Sequence, residues 1–96
     1  MRIDGFKEIL SKIENYGKDH PSYWGCALAG EVGEACNLIK KHERDGDDIK
    51  EKLRLELADI FNYLVLIAGV YEINLEEAIF EKIEILQERR KSDDKR

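Results

Sequence analysis

Two copies of one acidic pattern are the residues of this sequence best suited to chemistry. An acidic residue, a second one three positions on and an asparagine three positions further occur as Glu31-x-x-Glu34-x-x-Asn37 and as Glu56-x-x-Asp59-x-x-Asn62. At about 100° of rotation per residue, positions three apart share one face of a helix. Each copy therefore predicts two carboxylates side by side on a helix.

Both acidic pairs lie in apolar stripes. Trp24 and Ala35 lie within about 40° of Glu31, and Ile60 lies about 40° from Glu56 on its own helix. An unpaired carboxylate in such surroundings costs several kcal/mol, and two like charges about 4 Å apart repel by about 4 kcal/mol at an effective dielectric constant near 20. The four carboxylates therefore require a strong counter-charge.

A divalent cation meets that requirement better than the neighbouring lysines, which lie off the centre of the stripe. Oxygen-only ligands favour Mg²⁺, with Mn²⁺ as a possible substitute. Neither His20 nor His42 follows a glutamate by three positions, as the histidines of di-iron bundles do. The alternative is that both pairs are ordinary solvated helix faces.

The apolar periodicity and the capping residues predict four helices that position these acids. The predicted bounds are 4–16, with Gly17 as a left-handed cap, 22–44 with Ser22 as N-cap, 48–71 with an Asp48–Glu51 capping box, and 74–90 with Asn74 as N-cap. Short connections imply antiparallel neighbours. We expect an all-α, four-helix antiparallel bundle as a single domain over 1–90, followed by a polar tail over 91–96.

The charge balance excludes several classes of partner. The chain has 96 residues, a net charge of −5 and 39% charged residues. An acidic protein does not bind nucleic acid polymers or anionic membrane surfaces without clustered basic residues. No run approaches the roughly 20 apolar residues of a membrane span, and the N-terminus has no signal-peptide pattern. We expect a cytoplasmic protein.

The segments GCALAGEVGEACNLIKKHER and LRLELADIFNYLVLIAGVYEINLEEAIFEK resemble the MazG-like all-α nucleoside triphosphate pyrophosphohydrolases, marked by ExxE on one helix and ExxD on the next. The resemblance covers about 24–82. It implies Mg²⁺-dependent hydrolysis of a nucleoside triphosphate to the monophosphate and pyrophosphate, in a homodimer or a homotetramer. The metal ligands that it implies are Glu31, Glu34, Glu56 and Asp59.

Further roles follow from position and from the resemblance. Glu34 and Asp59 lie toward the edges of their stripes and are the candidates for the catalytic general base. The candidates for substrate contacts are Trp24, Asn37, Lys40, Lys41, Asn62 and Lys82. A lone tryptophan at the position of Trp24 is more often a core residue, and the three lysines are equally suited to the solvated surface.

Two other functions remain open from the sequence. A non-catalytic helical module could bind nucleotide or a basic protein partner through the same acids. A purely structural bundle would be stabilised by replacing the acids with leucine. A second apolar side on the third helix, with Leu55, Leu66 and Val70, indicates either a subunit interface or a central position in the bundle.

Overall fold

The computed structural model describes residues 3–94, which form four α-helices, one short 3₁₀ turn and no strand. The helices are α1 (Ile3–Ile13), α2 (Pro21–Asp45), α3 (Lys50–Val70) and α4 (Leu75–Asp94), and the 3₁₀ turn spans Tyr16–Lys18. The all-α class and the four predicted helices are confirmed.

Helices α2 and α3 form the best packed part of the molecule. Gly46 ends α2 with a left-handed φ of 73°, and its N–H donates to the His42 carbonyl at 2.8 Å. A left-handed residue is the usual end of a helix and suits glycine, which has no Cβ. The chain then turns back within four residues, so that α2 and α3 pack along each other as antiparallel neighbours.

The core lies where these two helices meet α1 and the 3₁₀ turn. Its buried side chains are Ile3, Trp24, Ala35, Val65, Leu66 and Ala68. Of the second apolar side predicted for α3, Leu66 is buried and Val70 is half-buried, whereas Leu55 is exposed. The inner part of this side therefore packs within the chain.

The helix starts agree with the sequence in one case and differ in two. Helix α3 begins at Lys50 with Ile49 as its N-cap, so the predicted Asp48–Glu51 capping box does not form, and the Asp48 carboxylate instead accepts a hydrogen bond from the Lys50 N–H at 3.3 Å. The Asn74 side chain accepts a hydrogen bond from the Glu77 N–H at 3.1 Å, which confirms the predicted N-cap of α4. Ser22 is not the N-cap of α2, because that helix begins at Pro21. Proline suits the first position of a helix, where its missing N–H would have no intrahelical partner.

The predicted end of the first helix was wrong for a reason that concerns the core. Helix α1 ends at Ile13, and Gly17 lies buried in the 3₁₀ turn without a positive φ. A Cβ at Gly17 would collide with the Trp24 ring. Glycine is therefore required at this position by the close approach of the backbone to an indole, and not by backbone conformation.

Helix α4 differs from the other helices because it leaves the body of the protein. Its first turn is held by the Glu76 carboxylate, which accepts a hydrogen bond from the Ile3 N–H at 2.9 Å. Beyond that turn its contacts with the other helices are marginal. It continues to Asp94, so positions 91–94 of the predicted tail are helical, while 95–96 lie outside the described residues.

The extension of α4 gives the chain an open shape. The radius of gyration is 16.5 Å, whereas a compact domain of this length has about 12.5 Å. The chain exposes 7862 Å², which exceeds the roughly 5,700 Å² of a compact protein of this size by about 2,200 Å². None of the described helices combines the length and the apolar character needed to cross a bilayer.

Candidate metal centre

The packing of α2 against α3 brings three of the four predicted acidic ligands together. One carboxylate oxygen from each of Glu31, Glu56 and Asp59 lies within 4.8 Å of the other two. Glu31 comes from α2, and the other two come from consecutive turns of α3. Because the sequence placed both acidic pairs in apolar stripes, the same faces that pack the helices together also bring their carboxylates together.

The three carboxylates of the cluster differ in how far they are exposed to solvent. Glu31 and Glu56 are half-buried, and Asp59 is exposed. The Glu56 Oε2 atom is buried and has no hydrogen-bond partner among residues 3–94. A buried carboxylate oxygen without a partner is costly, and it indicates a position where a ligand is expected to bind.

The close approach of the acidic side chains raises the pKa of Glu56. It is raised from its ordinary value of 4.5, first because Glu56 shares a hydrogen bond with Glu31 and next because the group is partly removed from water. The negative charges of Glu31 and Asp59 raise it further, whereas the polar interaction with Glu34 lowers it. Without a cation, the crowding therefore makes Glu56 easier to protonate than an isolated glutamate.

No basic side chain neutralises the cluster among the described residues. The ion pairs within 3–94 are Arg44–Asp45, Arg54–Glu51 and Lys91–Glu88, all on exposed side chains. A divalent cation bound by oxygen ligands fits the remaining need, and an all-carboxylate set suits Mg²⁺ or Mn²⁺. Glu34 is exposed and lies outside the close group of three, yet it is near enough to Glu56 to affect its pKa.

Tyr63 belongs to this site although no role for it was predicted. It is half-buried, and burial raises its pKa, with smaller increases from the charges of Glu31, Tyr23, Glu14 and Asp59. Its phenol is therefore protonated at neutral pH and available as a hydrogen-bond donor beside the carboxylates. The sequence carried a signal for it, because Tyr63 lies seven positions after Glu56 on the same stripe.

The predicted substrate contacts fall into different environments. Trp24 is 2% exposed and packs against Gly17, so its ring is part of the core and its faces are not free to stack on a base. Asn62 is half-buried on α3, and Lys82 is exposed on α4, away from the cluster. The remaining three, all exposed on α2, are Asn37, Lys40 and Lys41.

An all-α hairpin that brings carboxylates from two helices around one point is the arrangement of a candidate metal-binding helical protein. The model of the MazG nucleotide pyrophosphohydrolase domain matches residues 20–92, and the chain belongs to this family. The comparisons with curated proteins and with solved structures returned no match. The family match includes α2, α3, most of α4 and all members of the acidic cluster.

Proposed function

We propose that this protein is a cytoplasmic enzyme that hydrolyses a nucleoside or deoxynucleoside triphosphate to the monophosphate and pyrophosphate, with Mg²⁺ as cofactor and Mn²⁺ as a substitute. The observation that carries this proposal is the cluster of Glu31, Glu56 and Asp59 with its unpartnered inner oxygen. A chain of net charge −5 needs a cation to hold a polyanionic substrate.

The solvent exposure of each acidic residue suggests its role in binding the ion. Glu31 and Glu56 would hold the ion from the inner side, Asp59 from the solvent side, and Glu34 would complete the set. The bound ion supplies positive charge that neutralises the phosphates in the transition state. Glu34 and Asp59 are exposed and can accept the proton of the attacking water, so we assign the general base to one of them.

The polar residues near the cluster are the candidates for holding the substrate. Asn37 and Lys41 follow Glu34 along α2, and Asn62 follows Asp59 on α3. Lysine binds phosphate oxygens through charge-assisted hydrogen bonds, and asparagine can orient either a ligand or a carboxylate. Lys40 and Lys82 belong to the proposed phosphate contacts as well. Lys82 lies on α4, which extends away from the other helices of its chain.

Pyrophosphate release tests this proposal directly. We expect the purified protein to release pyrophosphate from at least one canonical or modified triphosphate when Mg²⁺ is present, and to stop when EDTA removes the ion. Mg²⁺ should also raise the melting temperature, because a ligand that binds only the folded state stabilises it. Nucleotide binding without release would favour a non-catalytic binding module. A folded protein that turns over no triphosphate with any of several metals would contradict the proposal.

We further propose that the protein acts as a homodimer or a homotetramer in which a second copy covers α4. The exposed large apolar side chains of this helix are Ile79, Phe80, Ile83, Ile85 and Leu86. A standard interface takes about 800 Å² from each partner. The excess surface of about 2,200 Å² per chain therefore suffices for an extensive interface between copies.

Sedimentation equilibrium tests this assembly. We expect a mass of two or four chains at micromolar concentration, and a melting temperature that rises with protein concentration. A monomeric mass together with a melting temperature independent of concentration would contradict it.

A further inference from the structure

An exposed group of aromatic rings lies at the start of α2, outside the acidic cluster. Tyr16 stacks on His20 with ring centroids 4.7 Å apart and meets Tyr23 edge to face at 4.8 Å. Tyr16 is 57% exposed and Tyr23 is 48% exposed, so neither ring is consumed by the core. Exposed aromatic faces of this kind are suited to stacking on a planar ligand.

One line of α2, exposed except at the half-buried Ala27, connects these rings to the acids. At about 100° per residue, its members fall within a sector of about 60°. They are Tyr23, Ala27, Gly30, Glu34 and Lys41. The first is aromatic, the next two are the small residues, Glu34 is near enough to Glu56 to affect its pKa, and the last is a cation. A Cβ built at Gly30 meets nothing within 4 Å, so a ligand can approach the helix backbone at this position.

The length and the chemistry of the line match one class of ligand. Tyr23 and Glu34 are eleven positions apart, which is about 16 Å along the helix axis. A base, a sugar and a chain of phosphates span a similar length. The phosphates belong with the proposed cation and with Lys41, since unscreened carboxylates repel them. The neutral aromatic end is then left for the base.

We infer that the substrate lies along α2 with its base on the Tyr16–His20–Tyr23 cluster, its sugar over Ala27 and Gly30, and its phosphates ending beside Glu34 on the side that faces Lys41. This inference rests on the proposed function. The Tyr16 and His20 rings also border a cavity of about 880 Å³, which leaves room beside the stack for the edge of a base.

Replacing the stacking ring tests the base end of this arrangement. With the best nucleoside triphosphate, Tyr23→Ala should raise KM about 5- to 100-fold, as loss of one base–aromatic stack does, and leave kcat within about twofold. Tyr23→Phe should restore KM. The matched control is Tyr71→Ala, which removes a ring that is 60% exposed at the end of α3. The Ki of inorganic tripolyphosphate, which has no base, should stay unchanged in Tyr23→Ala.

A large side chain at Gly30 tests the proposed position of the sugar independently of the base. Gly30→Leu should raise KM by at least about tenfold, since a branched side chain would occupy the sugar position. Gly25→Leu is the control, because a Cβ at Gly25 also meets nothing within 4 Å and lies on another side of the same helix. Leucine favours a helix over glycine, so we expect both variants to fold.

The outcomes separate this inference from the function on which it rests. A wild-type protein that turns over no triphosphate overturns both. A wild-type protein that turns over triphosphate, but whose KM is unchanged by Tyr23→Ala and by Gly30→Leu, overturns only the substrate orientation. Equal increases in nucleotide KM and tripolyphosphate Ki in Tyr23→Ala would also overturn it, because they indicate a general structural effect.

Discussion

The α2–α3 hairpin and helix α4 are of similar helical character and yet differ in how they use their apolar residues. The hairpin buries Trp24, Ala35 and Val65 within the chain, whereas α4 leaves Phe80 at 67% and Leu86 at 50% exposure. The hairpin can therefore set carboxylates within 4.8 Å of one another. The hairpin thus builds the candidate site, whereas α4 carries the exposed apolar side chains that we propose for contact with a second copy.

The largest expected effect comes from the hairpin. Glu56→Gln removes one charge from the cluster but keeps the shape of the side chain, so the proposed ion loses its innermost ligand. We expect kcat/KM to fall by about 10²–10³-fold, the usual loss for one preorganised charge-stabilising group. The Mg²⁺-dependent rise in melting temperature should disappear. The control is Glu51→Gln, an exposed position on the same helix. Equal activity of the two variants would contradict the assignment of the site.

A change on α4 should act on assembly instead. Ile83→Glu places a carboxylate on the apolar side of the helix, where a second copy would have to bury it. We expect the dissociation constant between copies to rise about 10- to 100-fold, which sedimentation at several concentrations measures. Ser92→Glu adds the same charge to the same helix outside the apolar group and should leave assembly intact. If Ile83→Glu assembled like the wild type, α4 would not be the interface.

A glycine in the compact region should show how tightly that region is packed. Gly17→Ala forces a methyl group against the Trp24 ring, and we expect a loss of about 1–3 kcal/mol in the free energy of unfolding. Gly25→Ala meets open space within α2 and should stabilise the protein by up to about 1 kcal/mol. Urea unfolding of both variants provides the measurement. Opposite signs are expected, and equal changes would show that the indole can move aside.

The smallest effect concerns the pH dependence of the metal-free protein. Because the folded state raises the pKa of Glu56 above 4.5, it binds more protons than the unfolded state from that pH up to the raised value. The stability of the protein in EDTA should therefore fall as the pH rises through this interval. Glu56→Gln should weaken the slope, and Mg²⁺ should offset it. A slope that is the same in the wild type and in Glu56→Gln would assign it to other groups.

Local patterns in the sequence were enough to predict much of this molecule. The period of the apolar residues predicted four helices, and Asn74 predicted the start of α4, because both signals depend on neighbours within one or two turns. The repeated acidic spacing predicted the carboxylate cluster, since three positions along a helix always return to one face. Ser22 is not an N-cap because α2 already begins at Pro21. Gly17 is not a helix cap because α1 ends at Ile13 and Gly17 instead packs against the Trp24 ring.

The sequence by itself determined the helices, the acidic pairs and the family to which the chain belongs. Only the tertiary structure decided which side chains face solvent and which face one another. It placed Trp24 in the core and Tyr16 and Tyr23 on the surface, and it left α4 beyond its first turn with only marginal contacts to the other described helices. Periodicity gives the angle of a residue around its own helix, but burial depends on which second helix arrives at that angle. That choice is made by packing across the whole chain.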